Sequence, residues 1–491
     1  MTYTKFQMGI TLISVILILS GCQSSPATTS VLSKNDGSFS TNAAQSTISM
    51  PSEKKVVNYH YEDTFKSSDE SVDFTFHIHE KIEAGDMPIV EVTPHYLTER
   101  NAKHVSEVLF GDAEFYESQP KFATIYSKAE IQEKLSRWSQ YTSDAAIESL
   151  YGSPQMNAAR VIKDYIENYT KKMEVAPEAV DAVQCFWKFQ ESWKYSYTDE
   201  QAIAENISIS RDDKISASTY LGGIPYTYEV STRNKSDYKY NTIFTAPDFG
   251  LSPWNLDTMI LQADLCRGQK PTDEQVAQIK EKAEDLLNRM DLGEWKVDVC
   301  RVIQLVNGDV VDYKINVQAV PVFSGITSIR RPQLDDLKNK NLYASNYYLT
   351  DAEFYFSPGG NLLYFRLISP VDQVRIVSSS PSVMSMDELM EIAKNHFYLN
   401  DAYHYGIGGI VDSSNEIIRC GVDINHLEYG LSRVKIPNIE DGYYYIPSVI
   451  LQGNVEYIGD ETGGVYIDNQ NIPLLVLNAV DGSIIPLSNG D

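Results

Sequence analysis

An Asn-Gly pair between two apolar runs, Leu305-Val306-Asn307-Gly308-Asp309-Val310-Val311, requires a tight antiparallel hairpin, because glycine supplies the positive φ of a two-residue turn. What surrounds that hairpin sets the fold class. Pro271-Thr272-Asp273-Glu274 opens a helix with early acidic residues, and Val276, Ile279, Ala283, Leu286, Leu287 and Met290 recur on one stripe. Trp295, Val297 and Val299 then alternate with polar neighbours, and AEFYFSPGGNLLYFRLI turns a second time between Ser357 and Asn361. The same order returns further along. Ser385-Met386-Asp387-Glu388 has capping-box spacing ahead of Leu389, Ile392, Ala393 and His396. Strands follow at Ile417 to Ile424, Leu431 to Ile436 and Tyr444 to Ile458, and LLVLNAVDGSIIPL closes on Asp481-Gly482. The expectation is an α+β protein with tandem helix-plus-antiparallel-meander units at 271–380 and 381–491, read as a structural duplication.

The first half reads as an α+β domain, 56–270, with a helical insertion. Val72 to Ile78 alternates cleanly, and Thr93-Pro94 is expected to introduce a helix bearing Leu97, Val105, Val108 and Leu109. Ser127 and Glu130 have capping-box spacing, and Ser153-Pro154 is expected to start a helix with Val161, Ile162, Tyr165, Ile166 and Tyr169. Trp187, Phe189, Trp193, Tyr195 and Tyr197 fall at period two, with further strands at Ile224 to Thr232 and Tyr238 to Thr245.

Ahead of these lies an address. Met8 to Leu19 is an apolar run of about 12 residues, short for a membrane helix and right for a secretory signal. It ends in Leu19-Ser20-Gly21-Cys22, which resembles the bacterial lipobox. That resemblance implies cleavage of residues 1–22, a diacylglyceryl thioether on Cys22, and membrane lipid as a partner through that residue. Residues 23–55, rich in Ser, Thr, Ala and Asn, are expected to form a disordered tether with a reach of roughly 30 Å. The folded remainder is then expected on the extracytoplasmic face of the cell membrane.

Acidic side chains number 67 against 41 basic ones, for a net charge of -26, which repels phosphate backbones and argues against a nucleic-acid partner. Cys185, Cys266, Cys300 and Cys420 have no metal or disulfide-framework spacing and are expected to be buried thiols, with one long-range bridge as the alternative. No GxSxG, Walker or GxGxxG signature is present; Gly406-Ile407-Gly408-Gly409 reads as a loop. His77 and His79 share one strand face and could meet a metal with His60, His95 or His104, yet spacing places no third ligand, so a solvent-facing pair is expected. Cys420 and His426 would lie roughly 20 Å apart along a strand. Adjacent acids such as Asp460 and Glu461 read as solvated surface, and the Tyr443-Tyr444-Tyr445, Tyr347-Tyr348 and Trp187 to Tyr197 clusters read first as packing and second as stacking surfaces. No catalytic residue, cofactor or metal is expected.

The lipobox, VSEVLFGDAEFYE (Val105 to Glu117), SKAEIQEKLSRW, YYYIPSVI and VLNAVDGSII together resemble an uncharacterised family of lipoproteins from Gram-positive gut anaerobes that carries a domain of unknown function. The closing Asn-Ala-x-Asp-Gly hairpin after a helix is also similar to PepSY-type and two-component-accessory modules, extracytoplasmic units linked to peptidases and sensor kinases. These resemblances imply location and architecture. The leading functional expectation is a lipid-anchored binding or regulatory protein whose partner is a membrane protein, kinase or peptidase, or a surface glycan or peptide. The competing expectation is a hydrolase with two carboxyls about 5 to 10 Å apart in an aromatic groove.

Overall fold

A computed structural model describes residues 55–84, 86–117, 126–179, 184–193, 211–222, 224–233, 240–247, 256–268, 270–329, 350–399, 417–436, 439, 442–459 and 465–485. Cys22, residues 23–54 of the expected tether, Tyr195, Tyr197, Tyr347-Tyr348, Gly406 to Gly409 and Asp460-Glu461 lie outside the described residues.

The fold is α+β, built on two sheets. The eight-stranded sheet takes β1 (Lys55–Lys66), β2 (Val72–Ala84) and β3 (Ile89–Pro94) from one end of the chain. From the other end it takes β14 (Val371–Ser378), β15 (Ile417–Lys435), β16 (Tyr443–Gly459), β17 (Val465–Asn478) and β18 (Ile484–Ile485). Its order is β1-β2-β15-β16-β17-β18, with β3 pairing both β14 and β16; β2 and β15 are parallel, and the other pairs antiparallel.

The ten-stranded sheet takes the strands between: β4 (Tyr116–Glu117), β5 (Gln190–Trp193), β6 (Arg211–Leu221), β7 (Ile224–Arg233), β8 (Tyr240–Pro247), β9 (Glu294–Asn307), β10 (Val310–Phe323), β11 (Ile326–Thr327), β12 (Asp351–Phe356) and β13 (Leu362–Ile368). Two meanders, β6-β7-β8 and β9-β10-β12-β13, join edge to edge where β8 pairs β13. Strand pairing thus crosses both expected boundaries: β8 meets β13 and β3 meets β14 across 270/271, and β3 meets β16 across 380/381 as well. Local hydrophobic pattern reports each strand but not its neighbour, so such long-range pairings are not readable from it.

The helices are α1 (Glu99–Phe110), α2 (Lys128–Trp138), α3 (Asp144–Tyr151), α4 (Ala158–Val175), α5 (Leu256–Cys266), α6 (Asp273–Arg289) and α7 (Met386–Leu399). Helices α1 and α6 lay Ala102, Val105, Ile279, Ala283 and Leu287 on the large sheet against Tyr228, Val317, Phe354 and Phe365. Tyr228 is fully buried, and its hydroxyl donates to the Ala102 carbonyl at 2.7 Å, so no polar cost remains there. Helix α7 does the same for the smaller sheet, with Leu389, Met390, Ala393 and Phe397 over Phe74, Phe76 and Ile78. Helices α2 to α5 close a third core around Trp138, Ile147, Ile162, Leu256 and Ile260. Where the sheets meet, Phe323 lies 4.3 Å from Tyr445 between ring centroids, the Ile329 amide donates to the Leu431 carbonyl, and the Arg433 guanidinium sits 4.6 Å over Tyr443.

Capping is where local sequence decides most. Ser127 with Glu130 and Ser385 with Glu388 form the reciprocal bonds expected of them, as does Thr272 with Gln275. Two expected starts are corrected. Thr93 and Pro94 end β3, paired to Asp372 and Val371, and α1 begins at Glu99 under a Thr98–Asn101 capping box. Helix α4 begins at Ala158, after Asn157 in the left-handed region, because Gly152 first terminates α3 and the Ser153 hydroxyl accepts from Gln155 instead of capping. Gly152 and Gly308 also dock the helical core on the β9-β10 hairpin: a Cβ at Gly152 would stand 1.7 Å from the Asn307 carbonyl oxygen, and one at Gly308 would stand 1.9 Å from that of Gly152. Arg267 completes the joint, reaching Asp312 at 3.2 Å and the Leu150 carbonyl at 2.7 Å.

Candidate functional site

Strands alternate faces, and β1 and β2 obey this strictly. Tyr59, Tyr61 and Phe65 turn inward with Val72, Phe74, Phe76 and Ile78, under α7. Asp387 accepts from the Tyr59 hydroxyl at 3.3 Å, and Lys394 reaches Asp63 at 2.5 Å. Burial foremost, and then the Asp387 carboxylate, drives the Tyr59 phenol well above its usual range; the hydrogen bond with Asp63 raises Lys394 and lowers Asp63. The hairpin is therefore tied down from behind.

The opposite face carries His60 and Glu62 on β1 and His77 and His79 on β2. Register places His60 directly across from His79 and Glu62 across from His77. The two Nδ1 atoms of His60 and His79 lie 2.6 Å apart, with ring centroids at 4.2 Å. Glu62 Oε1 turns to the diagonal neighbour, 3.2 Å from His79 Nε2 and 3.9 Å from His60 Nε2. His77 takes a different partner, Asp423 of β15, at 3.0 Å. Glu80, next in sequence to His79, instead meets His426 at 2.5 Å. One nitrogen from His60, one from His79 and one Glu62 oxygen all lie within 4.8 Å of one another, which makes these three residues the candidate metal ligands. Their side chains are 59%, 58% and 56% exposed for His60, His79 and Glu62, so the trio faces water.

His77 and His79 face solvent as the alternation predicts, and the register, which spacing within β2 does not show, sets His79 beside His60 and Glu62. A usable signal was present. Tyr59, His60, Tyr61, Glu62, Asp63 and Phe65 alternate as a strand, but β1 adjoins the polar segment read as tether and its pairing with β2 is invisible locally. The other histidines go elsewhere. His95 Nδ1 meets Asp372 at 2.7 Å, which raises its pKa, and His104 Nε2 donates to the Arg289 carbonyl at 2.9 Å.

The remaining candidates are placed as packing. Tyr443 and Tyr445 are buried between the sheets, and Trp187 packs 5.1 Å from Phe115 and 6.0 Å from Tyr228. The four described cysteines are free thiols; burial pushes Cys420 up to about 12 and Cys266 to about 11, where neither is a nucleophile at neutral pH. A cavity of about 160 Å³ sits near the sheet junction between Trp295, Phe323, Thr350 and Val371, below the roughly 300 Å³ at which pockets for small organic ligands begin. Among the described residues its lining carries one carboxylate, Glu294.

No protein-family model and no curated protein matches the chain. Among solved structures, one from Eubacterium rectale, described as an uncharacterized protein, is similar over 85% of this chain and 91% of that one, at 11% identity and a TM-score of 0.32. A likeness of that size carries no argument about fold or activity.

Proposed function

We propose that this chain is a lipid-anchored, extracytoplasmic binding or regulatory protein, held to the cell membrane through Cys22 and presenting its sheets to a partner at the cell surface. The observation that carries the reading is Leu19-Ser20-Gly21-Cys22 at the end of an apolar run. Two acyl chains at roughly 0.8 kcal/mol per buried CH2 hold a protein stably to a bilayer. Support for binding comes from the solvent-facing side of β1, β2 and β15, where His60, Glu62, His77, His79 and Asp423 stand on a backbone tied down by α7. A rigid sheet face with polar groups at fixed spacing suits recognition. The partner class we favour is a membrane protein, kinase or peptidase, since the anchor confines the chain to the same surface.

The test is crosslinking in intact cells followed by recovery of the protein from detergent-solubilised membranes. One stoichiometric membrane protein, lost with Cys22→Ala, is the expected result. Equal recovery of the same partner from Cys22→Ala cells would remove the anchor from the account, and recovery of no partner would remove the regulatory role.

A further inference from the structure

We propose that His60, Glu62 and His79 form a surface site for a divalent transition metal ion, with Zn2+ the ion their donors fit. Two imidazoles and one carboxylate are a recurring zinc donor set that leaves a fourth position open to water or to an incoming ligand. Imidazole also disfavours Mg2+ and Ca2+, which take oxygen.

Geometry and rigidity both support the site. Period two puts residues 60 and 62 on one face of β1, and the register sets His79 directly opposite His60, so all three side chains rise from adjacent points of one ladder. Tetrahedral coordination at about 2.05 Å separates two ligand atoms by roughly 3.3 Å. The closest approaches involve different ring atoms, Nδ1 to Nδ1 at 2.6 Å and the Glu62 oxygen to the two Nε2 atoms at 3.2 and 3.9 Å, while one donor from each residue lies within 4.8 Å of the others, so side-chain rotamer changes on the fixed β1-β2 ladder bring the three donors to an ion. The facing Nδ1 atoms share a hydrogen bond, one ring donating its N–H to the other's lone pair, and metal binding would replace that contact. The net charge of -26 further concentrates cations near the surface.

His77 supplies the internal control. It shares the face but is engaged with Asp423, and it is not among the three residues whose donor atoms converge. The site goes beyond the proposed function and does not depend on it: a chain bound to its membrane partner without zinc, or binding zinc without that partner, separates the two.

The experiment uses tag-free full-length protein in detergent, stripped with a chelator and equilibrated with Zn2+, with bound metal read by elemental analysis and Co2+ substitution read by visible absorption. One saturating equivalent at micromolar Zn2+ is expected, with a tetrahedral-type Co2+ spectrum. His60→Ala and His79→Ala should each weaken binding by more than about tenfold, Glu62→Gln should weaken it and alter the Co2+ spectrum, and His77→Ala should leave both unchanged. Because the ligands are exposed, folding is checked by circular dichroism, and either histidine variant suffices if the other fails to fold. Absence of saturable Zn2+ binding, or equal affinity in wild type and the His60→Ala/His79→Ala double variant, overturns the proposal, as does loss of binding in His77→Ala alone.

Discussion

Asp257 is fully buried at the start of α5, in the core formed by helices α2 to α5. One of its oxygens accepts from Trp138 Nε1 at 3.0 Å, the other lies 3.4 Å from Lys134 Nζ, and Arg137 approaches to 3.6 Å. The Lys134 side chain is only 11% exposed and stands 5.7 Å over the Trp138 ring, so its charge is little screened by water. Removing the carboxylate takes the Asp257 counter-charge from that ammonium and this acceptor from the indole N–H. Breaking a buried pair on one side costs about 3–5 kcal/mol, so Asp257→Ala should lower unfolding free energy by that amount. Asp257→Asn keeps an oxygen for Trp138 and should cost less. Asp257→Asn with Lys134→Met removes both charges and should recover most of the loss, because the desolvation that made the single change expensive disappears with the second. Urea denaturation gives the magnitude, and hydrogen exchange gives the place: α2, α4 and α5 should lose protection while β15 and β16 keep theirs. A loss for Asp257→Ala below about 1 kcal/mol, or no recovery in the double variant, would refute the argument.

Three further outcomes are expected. Gly152→Ala should disrupt the joint between the helical core and the β9-β10 hairpin, since its φ of +75° is unfavourable for alanine and its Cβ would meet a backbone oxygen that cannot yield; limited proteolysis near residues 152 and 308 should accelerate, and unchanged cleavage would count against the joint. Asp372 foremost, with Asn101 and Asp291 adding to it against the opposing effect of burial, holds the pKa of His95 above its ordinary 6.5. Its contribution is therefore full below pH 6.5 and lost as pH rises through the folded-state value, so His95→Gln should cost most stability at mildly acid pH and progressively less toward alkaline pH; a pH-independent cost would contradict this. Cys420 and Cys266 should resist thiol reagents at neutral pH in the native protein and react on unfolding, whereas rapid native labelling of either would show that its burial is wrong.

What could be read from the sequence was local. The Asn307-Gly308 turn, the Ser357 to Asn361 turn and the Asp481-Gly482 turn are where glycine and asparagine placed them, with Gly308, Gly360 and Gly482 all at positive φ. The stripe Ile279, Ala283, Leu286 and Leu287 is the buried face of α6, and Ser385 with Glu388 caps α7. The α+β class followed from these pieces. Neighbourhood did not, because the parallel pairing of β2 with β15 joins residues nearly 350 positions apart and leaves no mark on either strand. The histidine group is only half legible for the same reason: His77 and His79 are visible as a period-two pair with His60 among the candidates to join them, while the choice of His60 is made by the register of a hairpin whose first strand adjoins a polar, Ser- and Thr-rich segment. Beginnings of helices also escaped where a closer residue outcompeted the obvious cap, as Thr98 did for Thr93-Pro94.

Attachment through Cys22 is decided by mass spectrometry of the amino-terminal peptide from native membranes. The expected peptide begins at Cys22 and bears a diacylglyceryl group, and it is absent from cells expressing Cys22→Ala. An unmodified peptide that retains Met1, or a processed terminus with a free Cys22 thiol, would contradict it.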